Sequence, residues 1–228
     1  MGDPAKLKTG LSGVQIPAAA FILYNQPWCL FCRVHYFPIG CYILARVLII
    51  PLTRPYVIDY LNIWASDLRK SFSKIGMSID VLIWPDVLKP PMDCFVWNRM
   101  QYLSPCLLKW LYNYVSGVFE DYIIGVGYLD GFEHGLNFVF GEASPALRTA
   151  IVYTKRLDPR FYGDRYDFNL YIQRVSKEVI HELGHLLDLG HCNNKECVMR
   201  FSNSVYEVDE KSMFFCRNCS AKLMKTRI

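Results

Sequence analysis

A mixed α/β fold, with a mostly parallel, twisted sheet and helices packed on it, follows from three features of the sequence. Ala45 to Leu52 is a near-continuous apolar run of strand length, the pattern of a strand buried on both faces. Val57 to Phe72 then carries Ile58, Leu61, Trp64, Leu68 and Phe72 at helical spacing, and Ile79 to Trp84 returns to strand. The alternation continues through a further helix and strand to Tyr128, which argues for helices layered on a sheet, two or three layers deep.

Residues 1–44 stand outside that pattern. Ala18 to Tyr24 is apolar, but Asn25, Gln26 and Pro27 interrupt it, so no run reaches the about 18 to 20 apolar residues of a membrane span. Lys6 and Lys8 ahead of this patch resemble the start of a secretion signal, yet no small-residue cleavage site follows. Cys29, Cys32, His35 and Cys41 could ligate a metal, although their spacing matches no established zinc pattern. The segment reads as a loosely packed extension, and a chain beginning near Val47 would keep every motif described below. The folded domain is expected over 45–228.

Its first strand, helix and strand should be parallel and right-handed, because the connection is long. Asp86 to Pro91 is a proline-containing loop, and the residues after it to Asn98 have no clear period. Pro105 to Phe119 is helical, with Leu107, Leu108, Leu111, Val115 and Phe119 inward, and Tyr122 to Tyr128 is a strand. Gly135 to Gly141 is a short apolar strand bounded by glycines, and Thr149 to Tyr153 is another. Asp158 to Asp167 is a loop whose Arg160 and Tyr162 are either cleft residues or ordinary surface residues. No internal repeat or low-complexity tract is present.

The last long helix carries the chemistry. Ile172, Val175, Val179, Leu183 and Leu186 form one apolar stripe, and His181 and His185 fall on the other side. With about 3.6 residues per turn, these two imidazoles project one turn apart, at chelating distance. His181-Glu182-Leu183-Gly184-His185 is the HExxH pattern of zinc proteases, and it puts Glu182 in position to take a proton from metal-bound water. A third protein ligand is needed if one position is to stay open. His191 lies ten residues beyond His181, which on an unbroken helix is about 15 Å along the axis. The chain must therefore turn back after Leu187, where Gly190 is flexible and Asp188 tolerates left-handed backbone.

The run HELGHLLDLGH from His181 to His191 resembles the extended zinc motif of the metzincin metallopeptidases. Cys192 follows the third histidine directly, then come four residues, Cys197, Val198, Met199, sixteen residues, and Cys216-x-x-Cys219. That continuation is similar to the archaemetzincin family. The likeness reaches upstream through Gly135-Leu-Asn-Phe-Val-Phe-Gly-Glu-Ala143 and Arg160-Phe-Tyr-Gly163, and covers about Ala45 to the C-terminus. The resemblance implies a metzincin-like fold with an active-site helix and a zinc-stapled C-terminal subdomain. It also implies Met199 as the methionine of the turn beneath the metal, packing rather than reacting, and 135–141 as the antiparallel edge strand where an extended peptide adds. One departure stands out, since metzincins usually have glycine seven residues after the first histidine and this chain has Asp188. On a continued helix Asp188 would face the metal and compete with His191 as third ligand.

Cys192, Cys197, Cys216 and Cys219 read as C-x4-C and C-x2-C, two short-spaced pairs that can close a four-thiolate structural zinc site. The plainer readings are unrelated buried thiols or two disulfides, and the Cys216-x-x-Cys219 spacing is too tight for an ordinary structural disulfide. A metal there would also pin the loop delivering His191. Nine cysteines, an odd number with four in a metal pattern, suit a reducing compartment, hence the cytoplasm. A net charge of +4 from 25 basic and 21 acidic residues, with no long single-sign run, is too mild to imply nucleic-acid or membrane binding. The expected protein is a monomeric zinc peptidase acting on peptides or small proteins, with two zinc ions, one catalytic and one structural. The alternatives are a zinc-stabilised binding or regulatory module, should Asp188 close the metal site, and an enzyme for a non-peptide amide.

Overall fold

Which side of the sheet each helix covers is decided by strand alternation. The computed structural model describes residues 43–53, 56–119 and 121–225, so the extension and its Cys29, Cys32, His35 and Cys41 lie outside the described residues. The first unit is Ile43–Pro51 (β1), Tyr56–Ser73 (α1) and Ser78–Ile83 (β2), within a few residues of the expected bounds. Short strands Phe95–Val96 (β3) and Gln101–Leu103 (β4) follow, then helix Ser104–Val115 (α2) and strand Tyr122–Gly127 (β5). After Gly131–Phe132 (β6) come Gly141–Ser144 (β7) and Thr149–Tyr153 (β8), the long helix Phe168–Leu186 (α3), and two short helices, Val205–Glu210 (α4) and Arg217–Lys225 (α5).

The main sheet runs β2-β1-β5-β8-β7, parallel throughout except for β7, which pairs antiparallel with β8 at the edge. Successive strand residues face opposite sides. Val47 and Ile49 of β1, with Val81, Ile124 and Val152, share one core with Leu61, Trp64 and Leu68 of α1 and Val175, Val179 and Leu183 of α3. The other side meets α2, where a Cβ on Gly125 would lie 2.8 Å from Leu111. The result is three layers. Each fully buried aliphatic side chain contributes about 1.5–3 kcal/mol, so the seam between α1 and α3 is a main source of stability and holds α3 still against the sheet.

Three expectations change. The apolar run 135–141 is not the edge strand: of its residues before Gly141 only Val139 forms a bridge, to Gly131, and the edge strand is Gly141–Ser144. Phe138 and Phe140 pack on each other edge to face, so their apolar character serves packing rather than pairing. Helix α2 stops at Val115, four residues early. Cys94 and Cys106 form a disulfide joining the turn before β3 to α2, a pair not expected in a set of reduced thiols. None of the helices in the described residues is long and apolar enough to cross a membrane.

Candidate metal centre and cleft

Helix α3 starts where Asp167 caps it, accepting a hydrogen bond from the Leu170 N–H at 3.0 Å, and its end is where the site is made. Leu189 N–H donates to Gly184 O and Asp188 N–H to His185 O, the paired bonds of a Schellman ending, with Asp188 at φ 63. The left-handed residue reverses the chain and brings His191 back over the helix. Asp188 thus takes the left-handed position that the reversal requires, a conformation glycine adopts most readily. It lines the cleft but lies outside the group of converging ligand atoms.

That group is His181, His185 and His191, each of which offers one ring nitrogen, the three within 4.8 Å of one another. His181 Nδ1 sits 2.8 Å from Val198 O and His185 Nδ1 2.7 Å from Leu189 O. These bonds assign the proton to Nδ1 and leave the Nε2 lone pairs free. The two Nε2 atoms are 3.0 Å apart, a little under the about 3.4 Å edge of a tetrahedron with zinc–nitrogen bonds of about 2.1 Å. The donor set fits zinc. Burial pushes all three imidazoles below the ordinary histidine range, His181 furthest, with Lys211 adding to the effect, so they stay neutral and able to bind a metal in mild acid.

Glu182 follows the first histidine and is 3% exposed. Its Oε2 has no hydrogen-bond partner, and burial, then the Glu178 carboxylate, holds its carboxyl well above the usual range against the pull of Lys211. Edge strand β7 runs directly over it. A Cβ on Gly141 would lie 2.4 Å from Glu182 Oε1, so only glycine allows this approach. Gly184 does the same below, because a Cβ there would lie 2.3 Å from the sulfur of Met199. Met199 is fully buried, and its carbonyl accepts from Cys192 N–H at 2.9 Å, tying the segment under the helix to the loop of His191.

Cys192, Cys197, Cys216 and Cys219 converge in the same way. Cys192 and Cys216 sulfurs are 3.8 Å apart, the separation expected at about 2.3 Å from a shared zinc and far longer than a disulfide. Backbone N–H groups of Asn194 and Cys216 point at Cys192 and Cys197 sulfurs, as thiolates attract. This donor set also fits zinc.

Around the histidines is a cavity of about 710 Å³. One wall is the 133–145 segment and the other is α3 with the 188–191 turn and 201–203. Four features escaped the sequence reading: Gly141, Gly184, the half-buried pair Glu133 and Glu142, and Glu178. Glu178 is buried against Lys211 Nζ, 2.8 Å from its Oε1, an ion contact rather than an aligned hydrogen bond. A signal for Glu178 was present, since 178, 181, 182 and 185 share one helix face. Arg160 and Tyr162 do not line the cavity; Arg160 pairs with Asp158 and Tyr162 donates to Arg156 O.

Residues 67–225 match the sequence profile of peptidase family M54. The chain belongs to that family. An archaemetzincin of Sulfolobus acidocaldarius is 42% identical over 79% of this chain and 97% of its own length, and one of Aeropyrum pernix is 48% identical over 61% and 74%. The crystal structure of the Methanopyrus kandleri archaemetzincin superposes with a TM-score of 0.68 at 32% identity, covering 83% of this chain and 98% of that one. That of Archaeoglobus fulgidus, complexed with malonate, gives 0.63 at 35% identity over 78% and 99%. The chain is accordingly a zinc metallopeptidase of the metzincin type, and peptides are its substrates.

Proposed function

We propose that His181, His185 and His191 hold one catalytic zinc, that Cys192, Cys197, Cys216 and Cys219 hold a second, structural zinc, and that Glu182 is the general base of peptide-bond hydrolysis. The supporting observation is the convergence of the His181 and His185 Nε2 atoms beside a buried carboxylate with a spare oxygen, all facing one cavity. Zinc held by three imidazoles keeps a position open and supplies a Lewis acid that polarises a carbonyl and acidifies a water. Glu182 takes a proton from water in the cavity and delivers it to the departing amine. Its burial favours the protonated form and so the second step, while a nearby dication favours the first. The outer edge of β7 offers backbone groups to an extended peptide. Met199 packs under the helix and takes no part in the chemistry.

We read 45–228 as the peptidase domain, with 192–219 as its zinc-stapled part, and the chain as a cytoplasmic monomer. The test is a diverse peptide library with cleavage read by mass spectrometry, comparing zinc-loaded wild type with Glu182→Gln. The variant should keep its zinc and lose about 10²- to 10⁴-fold in rate, the usual worth of a positioned base. Cleavage at the wild-type rate would remove Glu182 from the mechanism.

A further inference from the structure

One wall of the cleft is held by side chains rather than by strand pairing. Residues 135–140 line the cavity, yet of these only Val139 forms a strand bridge. Leu136 and Asn137 are instead gripped from β4 and the turn before it. Arg99 Nη2 donates to Leu136 O at 3.3 Å and to Asn137 O at 2.9 Å, and Gln101 Nε2 donates to Asn137 O at 3.0 Å. Each gripping group is itself fixed. Arg99 Nε donates to Gln101 Oε1 at 3.0 Å, and its guanidinium lies 4.1 Å from the centroid of the Phe132 ring. Gln101, 4% exposed, donates to Asp130 Oδ1, and both oxygens of that carboxylate accept from Arg156. Arg156 in turn lies 4.5 Å from the ring centroid of Phe138, the residue after Asn137.

Asn137 O thus receives two donors, the full capacity of a carbonyl. The network fixes the backbone of a residue whose own side chain is exposed and lines the cavity, and among the described residues that carboxamide has no protein partner. A carboxamide offers one acceptor and two donors, the complement of the N–H and C=O of a peptide backbone. Packing explains Phe138 and Phe140, but not a buried glutamine and a stacked arginine spent on holding an exposed asparagine. We propose that Asn137 is a substrate-binding residue whose carboxamide hydrogen-bonds a backbone group of the peptide, and that Arg99 and Gln101 are positioning residues that hold it in place. Gly141 lies against Glu182, and Asn137 is four residues upstream, at most about 14 Å along the chain, so the contacted group is within about four residues of the scissile bond. Such a remote contact acts on KM more than on kcat. The inference rests on the peptidase reading for the peptide nature of the ligand.

The test uses zinc-loaded Glu182→Gln and alanine pentapeptides carrying a hydroxamate at the C-terminus or at the N-terminus, which anchors their register on the metal. Each backbone N–H is replaced in turn by an ester oxygen, which removes that donor and weakens the adjoining carbonyl, and affinity is read by calorimetry. Asn137→Ala should weaken one all-amide set about three- to tenfold, the usual worth of one hydrogen bond. The ester at one position should cost as much with Asn137 present and nothing further with Asn137→Ala. Arg99→Met, with zinc content and melting temperature matched to the parent, should copy that loss and add nothing to Asn137→Ala, and Arg99→Lys should restore part of it. In the active enzyme Asn137→Ala should raise KM by a similar factor with kcat nearly unchanged. An unchanged affinity in Asn137→Ala, or the same ester pattern with and without Asn137, would overturn the proposal. Arg99→Met costing as much in Asn137→Ala as alone would remove Arg99 from it. The expected ester pattern without cleavage of any peptide by wild type would uphold Asn137 while sinking the peptidase reading, and no binding at all would sink both.

Discussion

Asp188 does two jobs at residue scale that its type usually separates: it holds a left-handed turn and it presents a carboxylate to the cleft. A non-glycine residue in that conformation carries about 1–2 kcal/mol of strain, less for aspartate than for most. Asp188→Gly should therefore raise stability by about 1 kcal/mol, read by chemical denaturation, with zinc content unchanged. Loss of the histidine-site metal in that variant would restore Asp188 as a ligand. Gly184 predicts the opposite. Gly184→Ala drives a methyl into Met199 and should cost about 1–3 kcal/mol, most of it recovered when Met199→Ala makes room. If the two effects simply add, Met199 is not what requires the glycine.

The elements that matter are those joining the histidine group to the cysteine group. Cys192 follows His191 directly, and the loop between Cys192 and Cys197 leads into Val198 and Met199, whose carbonyls hold His181 and the Cys192 N–H. Helix α5 closes the far side with Cys219 buried at its start. One thiolate lost from the four should thus act at a distance. Cys216→Ser is expected to bind one zinc instead of two and to weaken the remaining site about 10- to 100-fold, the usual effect of disturbing groups that orient a ligand. Competition with a chelator followed by metal analysis reads both numbers. An unchanged second affinity would make the two sites independent. The same segment explains why α3 is buried nearly all round when its sequence promised one apolar face. Arg174, Lys177 and Glu178 look like a solvated face, but Asp209, the carbonyls of Val208 and Asp209, and Lys211 come over them from about thirty residues downstream.

Across the whole molecule, what could be read beforehand divides by range. The convergence of the three histidines and of the four cysteines was legible because their members lie at short fixed spacings in the chain, and β1, α1, β2 and α3 because their apolar periods are long. Strand β7 was not, since Gly-Glu-Ala-Ser has no apolar pattern and its role comes from pairing with β8. Glu142 was invisible for the same reason: its partners, Ser104 and Glu133, come from outside the strand.

That long-range pairing has a consequence in pH. Burial, opposed by the Ser104 hydroxyl and reinforced by Glu133, pushes Glu142 up to about 7. An unfolded chain releases this proton near about 4.3, so between there and about 7 the native state holds a proton that the unfolded state has lost. The contribution to stability is complete below that window and falls as pH rises through it. Glutamine resembles the protonated acid at every pH. Zinc-loaded Glu142→Gln should melt with wild type at pH 4.5 and above it at pH 8, at about 2–4 °C for each kcal/mol recovered in a chain of this size. A gap of equal size at both pH values would mean that ionising this carboxyl costs the fold nothing.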